Sequence, residues 1–251
     1  MEESERVAIV TGAAQGLGFS IAKKFVADGM KVVFIDKNQN RLNEIKESRF
    51  MDSAISKRTM FLSMDVSNVT EIKHGVRTIL DTWGRIDILV NNAGIRKETS
   101  IEEIDEKEWN LILSVNLGGT FFFSQAVANV MKDQKHGRII NISSYGGQAG
   151  PLTSGAHYCA SKAGQLALTK VFARALSDFG ITVNTVAPAA VKSPEMDKIA
   201  PEKLERMKAG IPVKRFGEPE EVANIVSYLA SDMAGYTTGA TFDINGGLLM
   251  R

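Results

Sequence analysis

The sequence predicts a doubly wound α/β domain, one parallel sheet of about seven strands with helices on both faces. Three observations predict it. Short apolar runs of strand length, such as Val7-Ala-Ile-Val10 and Lys31-Val-Val-Phe-Ile35, alternate with longer amphipathic stretches along the whole chain. No linker, repeat or low-complexity segment interrupts the alternation, so residues 1–251 read as a single domain. Residues suited to ligand contact (Gly12, Asp36, Asp65, Asn92, Ser144, Pro188) follow successive strand ends. Sheets of this class bind ligands beyond the carboxyl ends of their strands, so these residues are expected along one edge.

The elements follow in order. Val7–Val10 is a strand buried on both faces. Thr11-Gly-Ala-Ala-Gln-Gly-Leu-Gly18 is a glycine-rich turn, and the stretch carrying Ile21, Ala22, Phe25 and Val26 is a helix ending at Asp28-Gly29. Lys31–Ile35 is a second strand, closed by Asp36. Strand, glycine turn, helix and strand make half of a dinucleotide-binding unit. Its glycines let a pyrophosphate approach the backbone at a helix N-terminus, where free N–H groups favour an anion. The spacing of Gly12, Gly16 and Gly18 differs from the common G-x-G-x-x-G, so the flanking elements and Asp36 carry the assignment. An aspartate there accepts both ribose hydroxyls and repels a 2′-phosphate, which predicts NAD(H) over NADP(H).

Met60–Met64 is a third strand running into Asp65-Val66, where adenine contacts are expected, and a helix covers about Val69–Trp83. Ile86–Val90 is a fourth strand, ending in Asn91-Asn-Ala-Gly94. Two helices, Glu103–Val115 and Gly119–Met131, join at Asn116. Arg138–Ile142 is a fifth strand, and a long helix runs from His157 to about Phe179. Thr182–Val186 and Ala240–Ile244 are strands six and seven. Between them, Ser193–Phe216 reads as a short helical lid.

The chemistry concentrates at Ser144 and at Tyr158-Cys-Ala-Ser-Lys162. Residues four apart share a helix face, so the Lys162 ammonium lies beside the Tyr158 phenol and is expected to pull its pKa down. Such a pair can give and take a proton near working pH. Ser144 can bond a substrate oxygen or the tyrosine hydroxyl, and Ser143 is an alternative for that role. Tyr–Lys pairs at this spacing also occur as plain helix surface.

Bulk properties exclude other classes. With 30 basic and 29 acidic residues the net charge is +1, so no field attracts nucleic acid or an anionic membrane. The only cysteine, Cys159, allows no intramolecular disulfide, and with no base in register it reads as a small helix residue rather than a nucleophile. The acidic start Met1-Glu-Glu-Ser-Glu-Arg6 does not resemble a signal peptide, and no apolar run looks long enough to span a bilayer. A soluble cytoplasmic protein with no metal site is expected.

Together, Thr11–Gly18, Asn91–Gly94, Ser144 and Tyr158–Lys162 resemble the classical short-chain dehydrogenase/reductases, a Rossmann-like family, and the likeness runs from Val7 to Gly247. The resemblance implies a catalytic tetrad of Asn116, Ser144, Tyr158 and Lys162. Ser144 would polarise the substrate oxygen and Tyr158 would exchange the proton. Lys162 would lower the tyrosine pKa and hold the nicotinamide ribose, while Asn116 steadies a water linking Lys162 to solvent. It extends the cofactor set beyond the glycines, Asp36, Asp65 and Val66 to Gln15, Leu17, Asn92, Ala93, Gly94, Tyr158, Lys162, Pro188, Val191 and Ser193. The family commonly has Pro-Gly where this chain has Pro188-Ala189, and a threonine where it has Ser193.

The expected activity is NAD-dependent interconversion of a secondary alcohol, such as a polyol or sugar, and its ketone. The alternative implied by the resemblance is a 3-oxoacyl-(acyl-carrier-protein) reductase using NADPH. An acidic carrier needs exposed basic residues near the cleft, whereas the long helix ends in Ser177-Asp-Phe-Gly180. Lys132, Lys135 and Arg138 remain nearby as ordinary surface residues. A dinucleotide-binding sensor without chemistry and a sugar epimerase of the extended branch are further alternatives. The resemblance also implies a homotetramer formed through the two long helices and the C-terminal strand.

Overall fold

The chain is described from a computed structural model covering residues 5–48, 52–150, 154–193, 196 and 199–250. Seven strands form one sheet: β1 (Val7–Thr11), β2 (Lys31–Asp36), β3 (Thr59–Ser63), β4 (Ile88–Asn91), β5 (Gly137–Ile142), β6 (Ile181–Pro188) and β7 (Thr241–Ile244). Every pairing is parallel and the order is β3-β2-β1-β4-β5-β6-β7, the Rossmann-like arrangement. The chain reverses its direction of travel across the sheet at β1, which pairs with β2 on one side and β4 on the other. A crevice opens at that reversal, because the connections from β1 and β4 leave on opposite faces.

Side chains along each strand alternate between two cores, as a period of two requires. Ala8, Val10, Val32 and Phe34 pack against α1 (Gly16–Ala27) and α10 (Pro219–Ala230). Val7, Ile9, Val33 and Ile35 face α4 (Val69–Trp83), α6 (Gly119–Gln134) and α8 (Ala156–Leu176). Because both faces are covered, β1 reads as an apolar run, as the sequence suggested for Val7–Val10, whereas β5 and β6 also bury Arg138, Asn141, Thr182, Asn184 and Thr185.

Several elements differ from the sequence reading. The short helices α3 (Ser53–Ser56) and α7 (Gly146–Ala149) and the longer α10 were not anticipated, and α2 (Gln39–Lys46) only in the interleaved charges of Glu44-Ile-Lys46, which read as solvated helix surface. Of these, α10 was legible: Pro219 opens it, Glu218 and Glu221 form a capping box, and Val222, Val226 and Leu229 line its buried face. Asn116 does not separate two helices. It sits in a π-helical turn, Ser114–Gly118, joining α5 (Glu106–Leu113) to α6 without a break.

That continuous helix, Glu106–Gln134, is long and apolar enough by composition to cross a membrane, contrary to the expectation that no such run exists. Half of its most apolar window is buried within the protein, and Phe123, Val127 and Met131 are fully buried in the core. It is the central helix of one face of the sheet. Arg138 is also not a surface residue: it is 5% exposed and donates to the carbonyls of Gly137, Gly180 and Ser231. In the lid, α9 (Pro201–Gly210) is anchored beyond its C-terminus by buried Ile211 and Phe216, and its charged side chains face solvent or one another. Residues 194–195 and 197–198 of the lid lie outside the described residues.

Candidate active site

The glycine turn is shaped by close approach of backbone to backbone. Gly12 and Gly16 have positive φ of 64° and 53°, which glycine adopts without strain. Gly18 is required by contact instead: a Cβ there would lie 2.1 Å from the Gly12 carbonyl oxygen and 2.4 Å from Asn92 Nδ2. Asn92 braces the turn, with Nδ2 donating to the carbonyls of Thr11 (2.9 Å) and Gly12 (3.2 Å). Thr11 Oγ1 accepts from the backbone N–H groups of Asn92 and Ala93, both at 3.0 Å. The ends of β1 and β4 are thereby tied together, and the N-terminus of α1 opens onto the crevice. Gln15 is the exposed residue preceding α1.

Two recesses adjoin along this edge. The first is lined by Gly12, Asp36, Asp65, Val66, Ala93 and Gly94, all residues the sequence had singled out. Asp36 accepts backbone hydrogen bonds from Ala14 (3.2 Å) and Asn38 (2.9 Å), which fix its carboxylate at the end of β2. Asp65 accepts from the Ser67 hydroxyl at 2.7 Å, and that bond holds its pKa below the usual carboxylate value. The second recess, of about 240 Å³, holds Ser144, Tyr158, Lys162, Pro188 and Val191, with Leu17, Asn92 and Gly94 at its border with the first. Ser193 is half-buried and lines neither recess.

Within the second recess, Tyr158 is half-buried on α8 and hydrogen-bonds Ser144. Burial raises the tyrosine pKa above its ordinary value, and the Ser144 bond and the charge of Arg96 offset this only in part. This reverses the expected direction. The Lys162 ammonium points elsewhere, donating to the Ile142 carbonyl at 2.7 Å and to Gln165 Oε1 at 3.2 Å, with its Nζ 5.9 Å from the centre of the Tyr158 ring. Burial pulls the Lys162 pKa down to about 8.

The two serines divide their roles. Ser143 donates to the Lys162 carbonyl at 2.7 Å and is buried, so its proton is committed to holding α8. Ser144 lines the recess and accepts from Gly146 N–H at 3.0 Å. Gly147 lets this loop press on α8, since a Cβ there would lie 2.6 Å from the Lys162 carbonyl carbon. Asn116, fully buried, lies behind the recess: Oδ1 accepts from Ile95 N–H (2.8 Å), and Nδ2 donates to the Ile95 carbonyl and to Ser161 Oγ, both at 3.0 Å. Ala189 keeps a φ outside the left-handed region, so its extra methyl introduces no backbone strain beside Pro188. Burial pushes the Cys159 thiol pKa up, which suits the inert reading.

Three features escaped the sequence analysis. Arg96 lines the recess and, with Lys162, supplies its charge; no carboxylate lines it among the described residues. His157, fully buried beside Tyr158, bonds Glu108 Oε1 of α5 at 2.8 Å, while the other Glu108 oxygen binds Lys97. Gln165 contacts Lys162 from the next turn of α8. Only spacing could have flagged Gln165, three residues after Lys162; the other two depend on tertiary contacts.

The recesses fit a nicotinamide dinucleotide. Glycines whose Cβ would fill the cradle stand at its centre, with a carboxylate at one end and the Tyr–Ser pair at the other. Comparison with known proteins agrees. A family profile described as enoyl-(acyl carrier protein) reductase matches residues 12–249. The chain is 37% identical over 252 residues to a 3-oxoacyl-(acyl-carrier-protein) reductase of Synechocystis sp., covering 98% of this chain and 97% of that protein. It is 35% identical over 246 residues to the enzyme of that name from Thermotoga maritima, covering 98% of each, and 38% identical over 248 residues to that from Staphylococcus epidermidis, covering 97% and 98%. The chain belongs to the classical short-chain dehydrogenase/reductase family. It is an NAD(P)-dependent oxidoreductase acting on a hydroxyl or carbonyl carbon of a small molecule.

Proposed function

We propose that the chain reduces the 3-oxo group of a 3-oxoacyl thioester to a 3-hydroxyacyl group, using NADH. The observation that carries this reading is the Tyr158 hydroxyl, hydrogen-bonded to Ser144 within the recess that adjoins the glycine turn. A phenol holds its proton at neutral pH, as the general acid of a ketone reduction must, and the Ser144 hydrogen bond and the charge of Arg96 favour the phenolate that donation leaves. The names of the relatives support the thioester as substrate class.

Each residue then has a role. The glycine turn and α1 N-terminus would hold the dinucleotide pyrophosphate, and Asp36 the adenosine ribose. Asp65 and Val66 would flank the adenine, and Pro188 and Val191 the nicotinamide end. A bound nicotinamide dinucleotide supplies the hydride. Ser144 orients the substrate carbonyl oxygen, and Tyr158 gives that oxygen its proton as the carbon is reduced. Lys162 stays cationic below pH 8 and stabilises the phenolate that remains. Asn116 holds the π-helical turn against Ile95 and Ser161, which sets the wall behind Lys162.

A second reading, oxidation of a small polyol or sugar with NAD⁺, is favoured by the surface at the end of α8. Arg138 is buried and the Lys132 ammonium lies 5.0 Å over the Phe179 ring, so an acidic protein carrier would depend there on Lys170 and Arg174, exposed on α8. Initial rates with acetoacetyl-coenzyme A and NADH or NADPH, run beside polyol and sugar oxidation with NAD⁺, separate the readings. Faster thioester reduction with NADH supports the proposal. A preference for NADPH removes the role given to Asp36, and turnover of polyols alone favours the second reading.

We also infer a homotetramer. Leu111, Phe122 and Val171 are 46%, 37% and 61% exposed on α5, α6 and α8, an apolar surface suited to a second copy. Light scattering at micromolar concentration that reports a monomer would contradict it.

A further inference from the structure

Behind the recess, the side chains of Gln165, Thr120 and Lys162 and the main-chain carbonyl of Asn116 form a hydrogen-bond network. Gln165, fully buried, uses both Nε2 hydrogens, one to the Asn116 carbonyl (2.9 Å) and one to Thr120 Oγ1 (2.7 Å). Its Oε1 accepts from Lys162 Nζ at 3.2 Å. The orientation of the amide is fixed by chemistry, because a main-chain carbonyl can only accept and an ammonium can only donate. Thr120 Oγ1 also donates to the Asn116 carbonyl at 2.8 Å. Both lone pairs of that carbonyl are therefore used, as are both hydrogens of the Asn116 side-chain amide.

The family resemblance implied a water at Asn116 linking Lys162 to solvent. Here Asn116 retains only one lone pair, on Oδ1, and the position between its carbonyl and Lys162 is filled by an amide. We propose that Gln165 is a positioning residue for catalysis, fastening the Lys162 ammonium to the π-helical turn at Asn116 in place of a solvent link. The reading rests on Lys162 serving the proposed reduction. The Ile142 carbonyl and Gln165 satisfy two of the three ammonium donors, leaving one for the recess. The titratable groups lining the recess with Lys162 are Tyr158 and Arg96. No carboxylate counters its charge, so the Gln165 dipole is its main compensation besides Ile142.

The test uses the full-length protein, with ¹³C-labelled lysines and no ligand. The Lys162 resonance is assigned by its loss in Lys162→Arg and titrated in Gln165→Met, which removes both halves of the bridge, and in Gln165→Glu, which keeps an acceptor toward Lys162. Hydrogen bonds to charged groups stabilise by about 1.5–3 kcal/mol, so Gln165→Met should raise the Lys162 acid dissociation constant at least ~10-fold. Gln165→Glu should lower that constant. The alkaline limb of kcat for carbonyl reduction should move in the same directions, with KM little altered. Wild-type Lys162 titration in both variants would overturn the proposal. If the resonance moves while the alkaline limb does not, Gln165 binds Lys162 without serving catalysis, and its positioning role is overturned.

Discussion

Replacing Gly18 by alanine tests how the glycine turn is built. The added Cβ would lie 2.1 Å from the Gly12 oxygen, about 1.3 Å inside the 3.4 Å of ordinary contact, and 2.4 Å from Asn92 Nδ2. Neither neighbour is free to retreat, because Asn92 Nδ2 is itself bonded to the Thr11 and Gly12 carbonyls. Either the turn flattens or α1 lifts from the sheet. Overpacking of this kind costs about 1–3 kcal/mol, offset by up to ~1 kcal/mol from alanine's better helix propensity. In a chain of this size, a net loss of ~1–2 kcal/mol lowers Tm by about 2–8 °C. The dinucleotide cradle moves with the turn, and ~1.4 kcal/mol of lost binding raises the NADH Kd ~10-fold. Scanning calorimetry and quenching of protein fluorescence by NADH measure both. Gly84→Asn is the control, since nothing lies within 4 Å of that position, asparagine tolerates its positive φ, and it caps α4 away from the cradle. Wild-type Tm and Kd in Gly18→Ala, or equal damage in Gly84→Asn, would refute the steric argument.

Other outcomes follow from the same contacts. Asp36→Ser should bring the NADPH and NADH Kd values closer by at least ~10-fold, because a carboxylate–phosphate repulsion of several kcal/mol at short range is removed; unchanged discrimination would place the selectivity elsewhere. Reduction should decline as pH rises through about 8, where Lys162 loses its proton, and a profile flat to pH 10 would contradict the role of the ammonium. Glu108 has its pKa lowered from 4.5 to about 2, first by the Lys97 hydrogen bond and then by those of Thr99 and His157. Its contribution is thus present above pH 4.5 and lost as pH falls toward 2. The Tm deficit of Glu108→Gln should shrink across that interval, and a deficit independent of pH would show that charge is not its source.

Most of the fold was legible because parallel strands covered on both faces read as uninterrupted apolar runs, as in Val7–Val10 and Lys31–Ile35. The order of ligand-facing residues was legible for a related reason: strand ends can be located in a sequence, and in this architecture they share an edge. What was missed depends on side-chain direction. The spacing of Tyr158 and Lys162 placed both on one helix face but not the ammonium's heading, which two acceptors, Ile142 and Gln165, decide. The tyrosine pKa accordingly follows burial. Asn116 was legible as the junction of two helices, yet the π-helical turn that makes them continuous and turns its carbonyl toward Gln165 and Thr120 carries no local signature.

The central claim is that the Tyr158 hydroxyl donates the proton in a carbonyl reduction. The measurement that tests it most directly is kcat for acetoacetyl-coenzyme A reduction by NADH in Tyr158→Phe, with NADH affinity determined on the same samples. Loss of a general acid costs ~10²–10⁴-fold, so kcat should fall by at least ~100-fold while the NADH Kd stays within ~3-fold of wild type. A phenylalanine variant that binds NADH and turns over at the wild-type rate would contradict the account.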